Sequence, residues 1–373
     1  MKHIILSVTN DLFSDQRVDK VCNSLTKMSF HVTLVGRCYR NSPVLPHRNY
    51  KTKRIHLFFK KGPFFYAEFN IRLFFYLLFK KVDILVANDL DTLLPNVFIK
   101  KLKSKKLVYD SHEYFCGILE IQNRPFIKKI WQCIEKYCFP KTDAVITVSQ
   151  SIADKYKEEY GKDVAVVRNI PVLLAEDRKQ KGVCKDNHHG CSIPKKPIII
   201  LQGNAIHKDR GGEEIIEAMP LIHNAVLLIV GQGDMIQKMK ERVIELGLQQ
   251  RVTFTGRVTP EVLRTYTNSA DLGIAFDKNV SLNHYYSLPN KLFEYIHARV
   301  PVISSDLPER KRIIEKYEVG TVLTDLEPQT VANAINSILE DKEFLYRLKD
   351  NCTIAIGELN WENEEKILMK IYT

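Results

Sequence analysis

The sequence has no apolar run of about 20 residues, the length that a bilayer core demands of a helix, so no transmembrane span is expected. It shows no self-similarity at a period of roughly 20–50 residues, which excludes solenoids and propellers. Helix-turn-helix and RNA-binding signatures are missing, so no nucleic acid partner is expected despite the positive charge. The opening stretch, Met1 to Val8, is too short an apolar run for a signal peptide and has the pattern of a first strand. Eight cysteines are spread over 373 residues. Several, such as Cys22, Cys133 and Cys138, sit in apolar surroundings, which suits reduced thiols in a cytosolic protein better than a disulfide framework.

What is present is the composition of a folded, two-domain protein. Hydrophobic residues make up 45% and charged residues 27%, within the range of soluble globular chains. The net charge of +11 is lopsided. Residues 1–175 carry 29 Lys and Arg against 16 Asp and Glu, and the remainder 26 against 28. A basic first half attracts nucleic acid, anionic lipid or phosphorylated substrates.

Short β-branched runs at 3–8, 31–36, 83–87, 106–109, 143–148 and 164–167 alternate with amphipathic helical patterns, the signature of βαβ units and a parallel sheet. The pattern restarts at 196–201, with further strands expected at 225–230, 251–254, 271–275, 301–304 and 320–323. Two α/β domains follow: residues 1–172, a Lys-rich linker at 173–195, residues 196–355, and a C-terminal helix at 356–373 that can cross back to the first domain. The linker holds Cys184, His188, His189 and Cys191, whose spacing matches no common zinc site, and no metal is expected. Phe64 to Phe79 is the most aromatic stretch, flanked by Lys60, Lys61, Lys80 and Lys81. Either it is a core helix or it lies on an anionic membrane surface with basic ends on the headgroups, and the charge asymmetry favours the membrane.

In open α/β sheets ligands bind beyond the carboxyl ends of strands. After the first strand come Asn10, Asp11, Asp15 and Arg17. After the strand at 83–87 come Asp89 and Asp91, and after 106–109 comes His112 between two acids. Asn10, Asp11, Asp15 and Asp91 can equally be helix caps. Arg17 can equally be a structural bridge to Asp89 or Asp91. In the second half, Gly203, Asn204 and Arg210 follow one strand, and Gly231 and Gly233 follow the next. Polar strand ends in both halves point to a cleft between the domains. The stretch Ser287-Leu288-Pro289-Asn290-Lys291-Leu292-Phe293-Glu294-Tyr295 has the pattern of a loop entering a short amphipathic helix, with Pro289 in its first turn. Leu292, Tyr295 and Ile296 are spaced to face a core, and Lys291 and Glu294 to share a face. A cation and a carboxylate beside free helix N–H groups suit a phosphate and a ribose hydroxyl.

Together these stretches resemble glycosyltransferase family 4, the retaining transferases of the GT-B fold. The carriers are residues 87–95, 109–113, 148–151, 166–171, 203–212, 230–234 and 287–295, whose order and spacing span essentially the whole chain. The resemblance implies an α/β fold of two Rossmann-like domains facing each other across a cleft. A nucleotide-sugar donor, with uridine or guanosine as its expected base, is held mainly by the second domain, and no metal or other cofactor is needed. It implies that Glu294 grips the ribose hydroxyls, Arg210 the diphosphate and His112 the donor sugar, with Gly231 and Gly233 near the nucleoside. Two departures stand out. Tyr286 occupies the place of a glutamate that contacts the donor sugar, and Asn204 the place of an arginine that contacts phosphate. Lys291 is the expected replacement for that cation, so His112, Arg210 and Lys291 form the expected catalytic set. Gly203, Asn204, Ser287, Leu288, Pro289 and Asn290 complete the donor side, and Asn10, Asp11, Asp15, Arg17, Asp89 and Asp91 the acceptor side.

The expected activity is transfer of a sugar, with retention, to a glycan acceptor, expected to be lipid-linked, in bacterial surface polysaccharide synthesis. The expected location is cytoplasmic and peripheral, at the inner face of the cytoplasmic membrane. A sugar-nucleotide epimerase of the same fold and a non-catalytic nucleotide-sugar-binding protein are the alternative readings.

Overall fold

The structure is a computed structural model describing residues 1–13, 15–173 and 196–373. The Cys184, His188, His189 and Cys191 group lies outside the described residues. Two compact units are present. One comprises residues 1–169, 281–283 and 364–373, and the other residues 170–280 and 284–363.

The first unit is built on a seven-stranded parallel sheet of β1 (His3–Asp11), β2 (His31–Cys38), β3 (Lys51–His56), β4 (Ile84–Asn88), β5 (Lys106–Ser111), β6 (Ala144–Thr147) and β7 (Ala165–Val166). Its order is β3-β2-β1-β4-β5-β6-β7. The reversal at β1 and β4 is the topological switch of a doubly wound fold. The inner strands are apolar on both faces because helices cover both, as Ile4, Ile5, Leu6, Leu85 and Val86 show by their full burial. The edge strand β3, Lys-Thr-Lys-Arg-Ile-His, was not expected. It has one buried residue, Ile55, and an exposed basic face. Charge at an open edge blocks pairing with another chain, and it hides the strand from a search for apolar runs. The C-terminal segment belongs to this unit. Glu364, almost fully buried, accepts from the Arg168 backbone N–H at 2.7 Å and from its Nε at 2.8 Å.

The second unit carries a six-stranded parallel sheet of β8 (Ile198–Gly203), β9 (Val226–Gly231), β10 (Val252–Gly256), β11 (Leu272–Ala275), β12 (Val302–Ser305) and β13 (Gly320–Leu323). Its order is β10-β9-β8-β11-β12-β13, again reversing beside the first strand of the unit. Alternate residues serve two cores. Ile199, Leu201, Leu227 and Ile274 pack on one face, and Ile198, Ile200, Val230 and Val302 on the other. Both units therefore have the Rossmann-like α/β architecture that the sequence pattern called for.

Candidate active site

In the second unit a cavity of about 270 Å³ opens beyond the carboxyl ends of β8 and β9. One wall is the helix Asn290–His297. Leu292, Phe293, Tyr295 and Ile296 of this helix are buried against the sheet, as the spacing required. The Tyr295 ring covers Gly273, where an added Cβ would meet the ring at 2.5 Å. The Tyr295 hydroxyl accepts from the Gln202 N–H at 3.2 Å and lies 3.3 Å from the carbonyls of Ile200 and Ile274. That seat fixes the helix over the strand ends. Lys291 and Glu294, on the face not taken by the core, are thereby turned into the cavity. The helix begins at Asn290, so Pro289 is its N-cap, one residue before the turn expected to hold it.

At the base of the cavity Asp277 gathers three cations. Its carboxylate lies 2.9 Å from Arg210 Nη1, 3.0 Å from Arg310 Nη2 and 3.5 Å from Lys291 Nζ. Asp277 and Arg310 are fully buried, and Lys291 nearly so. Arg310 is also held by the Ala275 carbonyl at 3.3 Å and by the hydroxyls of Ser305 at 3.3 Å and Ser287 at 3.2 Å. Burial alone would push the Asp277 carboxyl up. The charges of Arg310, Lys291 and Arg210 overcome it and hold the group well below the usual carboxylate range. Burial pushes the Lys291 ammonium down; Asp277 opposes this, while the two guanidinium groups add to it. Three cations on one carboxylate leave a surplus of two positive charges, with Arg310 and Lys291 desolvated and Arg210 37% exposed toward the cavity. Buried ion pairs contribute little net stability, so a surplus of this kind is the mark of an anion site rather than of a structural clamp.

Elsewhere the cavity wall is hydrogen-bonding. Gln202, 2% exposed, accepts the Thr267 hydroxyl at 2.7 Å and donates its amide to Glu294. Main chain also approaches main chain closely at two glycines, one in the wall and one beneath it. Gly231 sits at φ +139°, and a Cβ there would lie 1.9 Å from the Gly203 carbonyl oxygen. A Cβ on Gly233 would lie 2.0 Å from the Ile206 carbonyl oxygen. Glycine is required at both places by close approach of main chain.

In the first unit the strand ends hold a chain of buried charges. Arg17, 5% exposed, donates to Asp110 at 2.9 Å and to the Val167 carbonyl at 2.8 Å. Its partner is thus Asp110, not the expected Asp89 or Asp91: the helix Gln16–Lys27 directs the side chain across the carboxyl end of β5. His112 lies between two carboxylates, with Nδ1 3.3 Å from Asp89 and Nε2 3.6 Å from Asp110. Its backbone N–H donates to Asp89 at 2.8 Å. Burial would lower the imidazole pKa, but the two carboxylates outweigh it and raise the value to about 9. Asp89 occupies a positive φ of 62°, a conformation costly for a residue with a side chain. It is also the N-cap of helix Leu90–Lys103, whereas Asp91 lies inside the first turn and accepts the Thr9 hydroxyl at 2.6 Å. Burial, and then the Asp89 charge, push Asp91 up to about 8. Asp15 caps its helix through the Val18 N–H, and Asn10 donates to Asp15 at 3.1 Å. Asp11 is tied to Arg54 at 3.0 Å.

The cavity thus collects Gly203, Asn204, Arg210, Gly231, Pro289, Asn290, Lys291 and Glu294 from the candidate set. Gly233 packs beneath it, and Tyr286, Ser287 and Leu288 do not line it. Sequence reasoning passed over Asp277, Arg310 and Gln202. Asp277 follows β11 at its carboxyl end, so the strand-end rule that selected the other candidates reaches it too. Arg310 gave no local signal, because its helix Pro308–Tyr317 has the pattern of any charged surface helix.

Two family profiles match the chain in tandem, "Glycosyltransferase Family 4" over residues 15–170 and "Glycosyl transferases group 1" over 185–353. The chain belongs to glycosyltransferase family 4, of the GT-B fold. It is similar to an uncharacterized glycosyltransferase of Methanocaldococcus jannaschii, 28% identical over 47% of this chain and 44% of that protein. It is also similar to a GDP-mannose-dependent phosphatidylinositol monomannoside mannosyltransferase of Mycobacterium tuberculosis, 22% identical over 54% of each chain. The chain spans about half the length of the curated relatives it matches. Among solved structures, Anabaena HepE in complex with UDP-glucose superposes with a TM-score of 0.73 at 14% identity, over 100% of this chain and 99% of that one. That likeness supports the fold.

Proposed function

We propose that this protein is a nucleotide-sugar-dependent glycosyltransferase whose donor diphosphate binds at the cations of the second unit. The observation that carries the reading is the buried Asp277 hub, where Arg210, Lys291 and Arg310 leave a surplus of two positive charges at the floor of a cavity. Arg210 and Lys291 stabilise the charge that develops on the leaving diphosphate, preorganised electrostatic catalysis that needs no divalent cation. Among the described residues no group of three or more His, Cys, Asp or Glu is placed to hold a metal ion. Glu294, held by Gln202, takes the ribose hydroxyls, and the backbone at Gly231, with Gly233 supporting the turn from beneath, takes the base. Uridine and guanosine diphosphates are the first candidates, since HepE holds UDP-glucose and the mycobacterial relative is named for GDP-mannose.

The first unit binds the acceptor, a lipid-linked glycan of bacterial surface polysaccharide synthesis. Its basic charge and the phosphatidylinositol-based substrate named for the mycobacterial relative support this. Transfer proceeds with retention, as in the family the sequence resembles. No helix among the described residues is long and apolar enough to cross a membrane, and the proposed location is the cytoplasmic face of a membrane. The test is transfer from radiolabelled UDP- and GDP-sugars to lipid-linked acceptor extracts, with the anomeric configuration of the product read by NMR. Labelled lipid that Arg210→Ala abolishes supports the reading. Absence of transfer and of donor hydrolysis across the panel contradicts it.

A further inference from the structure

Three helices of the first unit expose apolar side chains on one face. In Pro63–Leu78, Phe65, Phe69, Leu73 and Leu77 are buried. Phe64, Ile71 and Phe75, followed by Phe79 at 80% exposure, run along a second stripe at helical spacing in solvent. Leu90–Lys103 exposes Phe98 and Leu102, four residues apart on one face. Pro125–Cys138 exposes Phe126, Ile130 and Tyr137, again at helical spacing, with Phe126 77% exposed.

The three helices pack side by side, the second between the first and the third. The Phe98 and Tyr137 rings lie 6.4 Å apart, and Lys101 Nζ is 3.1 Å from the Tyr137 hydroxyl. Lys103 Nζ donates to the carbonyls of Leu77 at 2.9 Å and Lys80 at 2.7 Å, joining the ends of the first two helices. Lysine lies at the C-terminal end of each helix. Lys80 and Lys81 follow the first helix, Lys101 and Lys103 end the second, and Lys136 lies in the last turn of the third, with Lys141 just beyond it. A single exposed phenylalanine needs no explanation, but apolar side chains exposed on three adjacent helices, with lysines at their C-terminal ends, do.

We infer that this three-helix face is a membrane-docking surface, which inserts its aromatic side chains at the acyl boundary while its lysines hold anionic phospholipid headgroups. The charge selects this occupant. An anionic lipid surface satisfies the aromatic stripes and the lysines at once. The surface deepens the lipid-linked acceptor reading, yet its test uses no sugar donor, so the two can fail separately.

The experiment is co-sedimentation of the full chain with vesicles of phosphatidylglycerol and phosphatidylcholine, and with phosphatidylcholine alone, at rising salt. Binding is expected with the anionic vesicles, weak with the neutral ones and reduced by salt. Each of Lys80→Gln, Lys81→Gln and Lys101→Gln should lower the partition coefficient by about fivefold. Phe75→Ser with Phe79→Ser should abolish insertion, seen as loss of quenching by brominated acyl chains. Both residues are exposed, so an unchanged melting temperature will show that the variant is folded. Three results overturn the proposal: no sedimentation with anionic vesicles, partition indifferent to the phenylalanine pair, or a vesicle-free dimer that the phenylalanine pair dissociates.

Discussion

Asp277 is the group whose removal speaks most directly to the charged floor of the cavity. Asp277→Asn leaves Arg310, 0% exposed, and Lys291, 12% exposed, facing each other and Arg210 without the carboxylate that separates them. Deleting one partner of a buried ion pair costs about 3–5 kcal/mol, because the remaining charge stays desolvated and uncompensated. For a unit of this size each kcal/mol lowers the melting temperature by roughly 2–4 °C, so a fall of about 6–20 °C is expected in calorimetry at neutral pH. The pH dependence has a definite sign. The folded-state pKa of Asp277 lies below its unfolded value. Its contribution is therefore present in full above about pH 4 and is lost as pH falls toward the lowered folded value. The gap between wild type and variant should be widest at neutral pH and narrow under acid. A nucleoside diphosphate replaces the missing negative charge, so it should raise the variant's melting temperature by more than that of the wild type. A fall of under about 2 °C, or equal ligand shifts in both proteins, would refute the view that Asp277 balances cations held for an anion.

Lys291→Ala is expected to raise the donor KM and lower kcat as strongly as Arg210→Ala, at least about tenfold in kcat/KM, since a charge-assisted contact contributes about 1.5–3 kcal/mol. An effect under about threefold in steady-state kinetics counts against a phosphate role for Lys291. Gly233→Ala places a methyl 2.0 Å from the Ile206 carbonyl and should remove nucleotide binding in a titration, with a smaller loss of stability. The His112 pKa, raised to about 9, gives stability that is complete below about pH 6.5 and lost as pH rises through 9. The melting-temperature advantage of wild type over His112→Gln should therefore shrink between those values. Asp91, raised to about 8, carries the same sign as His112 and the opposite sign to Asp277, because the folded state resists its ionisation. Asp91→Asn should be relatively more stable at pH 8 than at pH 5 in paired thermal melts.

Much of the fold was legible because parallel strands covered on both faces announce themselves as β-branched runs. Ile198-Ile199-Ile200-Leu201 is an example, and it divides its residues between two cores. The edge strand β3 was invisible for the converse reason, its basic exposed face carrying no apolar run. The helix of Lys291 and Glu294 was legible because amphipathic spacing and proline set its register locally. The hub beneath it was not. Asp277 and Arg310 meet only after β11 and the helix Pro308–Tyr317 pack together, and a buried arginine is indistinguishable from a surface one until that packing is known. The same limit applies to Arg17, whose choice of Asp110 depends on how a helix crosses strand ends. The aromatic helix Pro63–Leu78 suggested membrane contact from composition alone. That two further helices, packed one beside the next, also expose apolar side chains is a tertiary fact.

The most direct measurement is calorimetric titration of UDP and GDP into the full chain in EDTA, beside the Arg210→Ala and Lys291→Ala variants. A nucleoside diphosphate held by the Asp277 cations will bind one or both nucleotides without metal, and each substitution will weaken that binding at least about tenfold. Absence of binding at millimolar nucleotide, or equal affinity in wild type and both variants, would contradict the account.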